Sequence, residues 1–202
     1  MPKLSKRRQI RLKGYNYSLP GLYYITVCAQ NRKNLFGNID KEAMALNDMG
    51  LLVKKYWNKL IDKFDIELDE YIIMPNHIHG IIAINNNNGR THVDDNGRTH
   101  GSAPTTGETS SVGVDPCVDP HPSLGKIIQW FKTMTTNQYI KNIKNNHWEP
   151  FNKRLFQRNY YEHIIRDEES LNKIREYIQL NPQMWKRDRN NPNLRNKDLK
   201  GA

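Results

Sequence analysis

The chain has 202 residues, with 31 Lys+Arg against 21 Asp+Glu and a formal charge of +10 at pH 7; that length suits one domain with a core and leaves little room for two. No apolar run approaches the roughly 18 residues of a membrane helix, and no apolar segment of a secretory signal follows the basic N-terminus, so a cytoplasmic protein without membrane contact is expected. The only cysteines, Cys28 and Cys117, exclude a disulfide-stapled fold and a thiolate zinc site.

In chain order, the first feature is a cationic arm: Lys3, Lys6, Arg7, Arg8, Arg11 and Lys13 fall within 13 residues that contain no acid. Pro20-Gly21 signals a turn, and the β-rich run Leu22 to Ala29 after it predicts a first strand. Met49, Leu52, Val53, Tyr56, Leu60 and Phe64 recur every three or four residues and predict a helix within about residues 43–63. Ile66 to Met74 and Ile78 to Ile84 read as two further strands, interrupted at Pro75-Asn76. Residues 85–122 then break the composition. They hold five Gly, four Pro and no Leu, Ile, Met, Phe, Tyr or Trp, and they repeat Asn-Gly-Arg-Thr-His at 88–92 and 96–100. Such a stretch cannot bury enough apolar area to offset its ordering entropy and is expected to be a disordered, tolerated insertion in an otherwise single domain spanning 1–202. It carries −3, so the rest of the chain carries +13.

Ser123 is placed to cap a helix whose face is Leu124, Ile127, Ile128 and Phe131. Arg154 to Tyr161 is expected to be the fourth strand. Asp167 should cap a last helix with Glu168 and Glu169 in its first turn, where the helix dipole favours anions. A second cationic arm, with six bases against two acids, runs from Lys186 to Lys200. Two basic arms favour a polyanionic partner. The order β-α-β-β-α-β-α predicts an α+β, ferredoxin-like split βαβ fold: a four-stranded antiparallel sheet with a C-terminal helix appended. That fold hosts many activities, so function must be read from the site.

The most informative string is Met74-Pro-Asn-His-Ile-His-Gly80. Alternation along a strand sends His77 and His79 to one side and Ile78 to the other, and two imidazoles so placed make half of a divalent-metal site. On the last helix Leu171, Ile174 and Ile178 form the apolar stripe, with Tyr177 and Asn181 one turn apart on its flank. Asn181 also precedes Pro182, a position pushed out of helical geometry and so a natural helix stop. Tyr160 and Tyr161 sit in a β-like run where one must face the sheet and the other must face away.

These stretches, with Phe156 to Arg166, Tyr177-Ile-Gln-Leu-Asn-Pro182 and the opening Ile10 to Ser18, resemble the REP-associated tyrosine transposases, single-tyrosine members of the HUH group. The resemblance covers nearly the whole chain outside 85–122. It implies a Mg²⁺- or Mn²⁺-dependent DNA transposase that cleaves and rejoins hairpin-bearing single-stranded DNA through a covalent 5′-phosphotyrosine. By that resemblance Tyr177 is the nucleophile, ahead of Tyr161 and then Tyr160, and His77, His79 and Asn181 are the metal ligands. Related insertion-sequence enzymes have Gln at the third ligand position, so Asn181 follows the REP-associated branch. Arg7, Arg8, Arg11 and Lys13 are candidate DNA contacts, with Lys132, Arg154 and Arg158 flanking the site, and Trp130 and Trp148 are candidates to stack on unpaired bases. The protein is expected to be a monomer or homodimer. A non-catalytic nucleic-acid-binding module and a metal-dependent nuclease without a covalent step are the alternative readings.

Overall fold

Alternation between apolar and polar-tipped side chains decides which faces of the sheet are covered. The computed structural model describes Leu12, residues 14–85 and residues 122–194. Its main sheet contains β1 (Gly21–Cys28), β4 (Ile66–Met74), β5 (His77–Ile84) and β6 (Tyr161–Ile165), in the order β4-β5-β1-β6 with every neighbour antiparallel. That is the expected ferredoxin-like arrangement. Tyr23, Ile25 and Val27 on β1 and Ile78 and Ile82 on β5 project to one face, where α1 (Asp48–Asn58) and α3 (Leu124–Asn146) bury Val53, Trp57, Ile127 and Phe131 against them. The opposite face carries Tyr24, Ile81 and Ile165, covered by Leu171 and Ile178 of α4 (Glu168–Leu180). The helix caps follow the sequence: Ser123 Oγ accepts from Lys126 N–H, and Asp167 Oδ1 accepts from Ser170 N–H. Among the described residues no helix is long and apolar enough to cross a membrane.

Four details differ from the sequence reading. The helix expected within 43–63 starts later, capped by Asn47, because residues 37–46 form a separate hairpin of β2 (Gly37–Asp40) and β3 (Ala43–Leu46). Its turn places Lys41 and Glu42 at φ 44° and 64°, and Gly37, at φ 139°, has no room for a Cβ beside the Ala45 carbonyl. The helix also breaks at Lys59 into α1 and the short α2 (Leu60–Lys63), leaving Phe64 extended beyond it yet still in the core. The fourth strand is Tyr161–Ile165 instead of Arg154 to Tyr161. Lys132 Nζ donates to the carbonyls of Gln157, Arg158 and Asn159, which gathers that backbone into a loop after a single bridge between Ala29 and Phe156. Finally, Asn181 stays helical at φ −56° and ψ −40° despite Pro182. The turn of chain through Trp185–Arg187 packs the residues after α4 back onto the sheet, with Trp185 buried.

The insertion expected at 85–122 lies, apart from Asn85 and Pro122, outside the described residues.

Candidate active site

The antiparallel register of β1 and β5 sets Cys28 opposite His77, Thr26 opposite His79 and Tyr24 opposite Ile81, so these side chains form one strip on the α4 face. Both imidazoles are sealed from solvent, His77 at 0% and His79 at 1% exposure, and their Nε2 atoms lie 2.9 Å apart. Burial keeps them neutral. It lowers His77 to about 3, helped by the charges of Arg32 and Arg189, and it lowers His79 well below its ordinary value, helped by His77 and Arg189.

Each ring is oriented by a second residue. The Asn76 amide donates to the carbonyls of Arg32 (3.0 Å) and Asn190 (2.9 Å), which fixes its oxygen toward His77 Nδ1 at 2.8 Å. A flipped amide would face oxygen against both carbonyls, so His77 Nδ1 carries the proton and Nε2 carries the lone pair. His79 Nδ1 lies 2.7 Å from the Tyr24 hydroxyl and 2.9 Å from Thr26 Oγ1. Such outer partners are what hold a metal-binding imidazole in its tautomer and orientation.

A carboxylate completes the group. Asp188, in the stretch after α4, places Oδ2 3.5 Å from His77 Nε2, and ligand atoms of His77, His79 and Asp188 all lie within 4.8 Å of one another. Among the described residues this Asp188 Oδ2 and the Asn181 Oδ1 are buried without hydrogen-bond partners. Buried polar atoms are rarely left so. Two neutral imidazoles, a carboxylate and a carboxamide oxygen with unused lone pairs form a donor set that fits a divalent cation. Asp188 escaped the sequence reading, as did Tyr24, Thr26, Asn76, Arg32 and Arg189; alternation along β1 was the one signal available for Tyr24 and Thr26.

Tyr177 stands at the rim, 46% exposed, its ring 5.3 Å from that of His79 and 6.4 Å from that of Tyr24. Its phenol is pushed above its ordinary value by partial burial; the neighbouring Asn181 side chain pulls it down, Asp188 raises it further, and Arg189 and Tyr24 lower it. Asn181 lies one turn on, 2% exposed. Tyr161 shares the face, edge-on to Tyr24 at 6.4 Å with the Arg189 guanidinium 5.8 Å above its ring, whereas Tyr160 packs toward the main core beneath Lys132. The residues read as a set around Tyr177, His77, His79 and Asn181 thus come together, and Asp188 joins them.

The proposed DNA contacts are not gathered in the same way. Lys132 belongs to α3, the helix on the other face, and its ammonium is engaged by three carbonyls. Arg154 and Arg158 are exposed on the loop before β6, not on a strand. Arg7, Arg8, Arg11 and Lys13 lie outside the described residues. Trp130 and Trp148 are partly buried in core packing, Trp130 edge-on to Tyr56 and Phe64 and Trp148 edge-on to Tyr139, which leaves neither presented as a free stacking platform.

Comparison with known proteins gives findings of different weight. No family model matches the chain. The solved structure of a REP-associated tyrosine transposase bound to a REP hairpin aligns with a TM-score of 0.52 over 85% of this chain and 72% of that one; at 16% identity the likeness establishes the shared fold. An uncharacterized protein of Haemophilus influenzae is 41% identical over 184 residues, covering 90% of this chain and 91% of that protein. Identity of that extent across nearly both full lengths places the chain in one family with the Haemophilus influenzae protein.

Proposed function

We propose that the protein is a metal-assisted DNA strand transferase in which Tyr177 attacks a phosphodiester of hairpin-bearing single-stranded DNA. The observation that carries this reading is the approach of the half-exposed Tyr177 ring to within 5.3 Å of His79, beside the cluster in which two imidazoles and a carboxylate converge. The fold shared with a transposase solved on a REP hairpin supports it.

His77, His79 and Asp188 would hold Mg²⁺ or Mn²⁺, with Asn181 as a further oxygen donor. When bound, such an ion neutralises charge on the phosphate and polarises it toward attack. The chain's own residues do the rest. Asn76 keeps the proton on His77 Nδ1, so its Nε2 lone pair is free to accept, and Tyr24 and Thr26 hold the His79 ring with its Nε2 directed at His77. Leu171 and Ile178 seat α4 on the sheet and so fix the height of Tyr177 above it. The phenol, raised by burial, loses its proton to solvent through its exposed side, and its oxygen bonds to phosphorus as the bond from phosphorus to the 3′ oxygen breaks. The released 3′ oxygen takes up a proton. Reversal on a second strand restores a phosphodiester and frees the tyrosine, so no external energy source is required.

The test is incubation with an end-labelled single-stranded hairpin and Mg²⁺ or Mn²⁺, followed by a denaturing gel. A label covalently attached to protein is expected, absent in Tyr177→Phe, whose hairpin affinity should be nearly unchanged. A free cut product without adduct would indicate a hydrolase, and binding without cutting would indicate a binding module; either outcome defeats the transferase reading.

A further inference from the structure

We propose that the guanidinium groups of Arg32 and Arg189 form a clamp for a backbone phosphate of the DNA strand entering the pocket; this rests on reading the pocket as one that handles a phosphodiester. Both arginines are tied to the site through main-chain contacts. Arg189 follows Asp188, whose carboxylate lies 3.5 Å from His77, and the Arg32 carbonyl is held by the same Asn76 amide that orients His77. Arg32 Nη1 in turn donates to the Arg189 carbonyl at 3.3 Å, so the two residues are joined across the pocket edge.

Among the described residues their donors are largely unspent. Among the described residues neither guanidinium makes an ion pair, although Asp188 is adjacent to both, and the Asp188 Oδ2 is directed at His77. Arg32 uses one of its five N–H donors. The Arg189 guanidinium lies over the Tyr161 ring, which leaves its edge open. The two guanidiniums set two fixed positive charges beside the Asp188 carboxylate.

The backbone fixes the position of Arg32. Asn31 and Arg32 sit consecutively in the left-handed region, at φ 57° and 54°. Such a turn is made without steric cost by glycine. Here it carries an arginine, locked by Arg32 N–H to the Ala29 carbonyl and by Asn76 to the Arg32 carbonyl. A planar fork of N–H donors suits two oxygens of one phosphate.

The experiment uses the full chain and a fluorescein-labelled single-stranded 20-mer of deoxythymidine, with affinity read by anisotropy across a KCl series. Each phosphate contact removed should flatten the slope of log affinity against log salt by about 0.7 on a single strand, so Arg32→Gln with Arg189→Gln, which removes the one clamped phosphate, should flatten it by about 0.7 and weaken binding roughly fivefold at 0.1 M salt. Lys54→Gln with Lys55→Gln removes the same charge from exposed positions on α1, across the sheet, and should leave the slope unchanged. If the double arginine variant does not fold, Arg189→Gln alone, an exposed side chain, should still flatten the slope, by up to about 0.7. An unchanged slope in the arginine variants, or an equal loss in the lysine variant, overturns the clamp. The hairpin adduct assay separates the two ideas: no adduct with an altered slope defeats only the transferase, and an adduct with an unaltered slope defeats only the clamp.

Discussion

Replacing Asn76 with Ala should unravel the outer support of the pocket and cost the protein much of its stability. Asn76 is fully buried and makes three hydrogen bonds, to the Arg32 carbonyl, the Asn190 carbonyl and His77 Nδ1. Truncation leaves those three partners in a site closed to solvent. Each buried group stranded in this way costs about 1–3 kcal/mol, so a total of about 3–5 kcal/mol is expected after some relaxation. That is a large share of the roughly 5–15 kcal/mol that holds a domain folded. With a urea slope of about 2 kcal/mol/M, the unfolding midpoint measured in chelator should fall by roughly 2 M with the slope unchanged. Because His77 then loses the acceptor that fixes its tautomer, Mn²⁺ affinity measured by titration under folding conditions should drop about 10–100-fold. Asn76→Asp keeps an acceptor for His77 but turns its second oxygen on two carbonyls, so it should be destabilised as well. A midpoint shift below about 0.5 M for the Ala variant, together with unchanged Mn²⁺ binding, would refute the view of Asn76 as the joint between the strand, the Arg32 turn and the chain after α4.

Asp188→Asn preserves an acceptor for the Asn190 N–H but removes the charge that burial raises toward the neutral form; Mn²⁺ affinity should fall tenfold or more, while thermal unfolding in chelator shows equal or higher stability. Asp69 grips Arg175 of α4 through two N–H···O contacts of 2.9 and 2.5 Å, and that pairing holds its carboxyl below the usual range. Asp69→Asn should therefore cost up to about 1 kcal/mol at neutral pH, with a difference from wild type that is full above about pH 4 and vanishes as the pH falls through the lowered value; parallel urea curves at pH 7 and pH 3 check the sign. Gly80→Ala would set a methyl 2.5 Å from the buried Trp57 ring, on the sheet face opposite the histidines, and should destabilise by about 1–3 kcal/mol in denaturant melts.

The parts of this molecule that were legible in the sequence are those governed by local rules. Alternation in β1, β4 and β5, the caps at Ser123 and Asp167, and the apolar stripe of α4 all depend on neighbours a few residues apart. The β2–β3 hairpin was illegible because its turn holds Lys41 and Glu42 at positive φ in place of an Asn-Gly signal, and the fourth strand was misplaced because a lysine from a distant helix bends residues 157–159 out of line. His77 and His79 announced themselves by spacing. Asp188 did not: it stands more than a hundred residues away, between Lys186, Arg187 and Arg189, where it reads as one acid in a cationic arm. Only the docking of Trp185 and the Asn76 bond to the Asn190 carbonyl turn that acid inward.

The way β5 ends and α3 begins offers a practical opening. Ile84, the last residue of β5, pairs with Gly21, while Leu124, the first of α3, donates its N–H to the Tyr17 carbonyl at 2.9 Å. Both borders of the junction are therefore fastened to the same short stretch, residues 17–21. Because closing a longer connection adds only a logarithmic entropy penalty, the junction should accept cargo, which a thermal melt of the spliced protein would check. A fluorescent or affinity domain with adjacent termini, spliced there, would leave both chain ends of the protein untouched and the imidazole pocket on the far side of the sheet from α3.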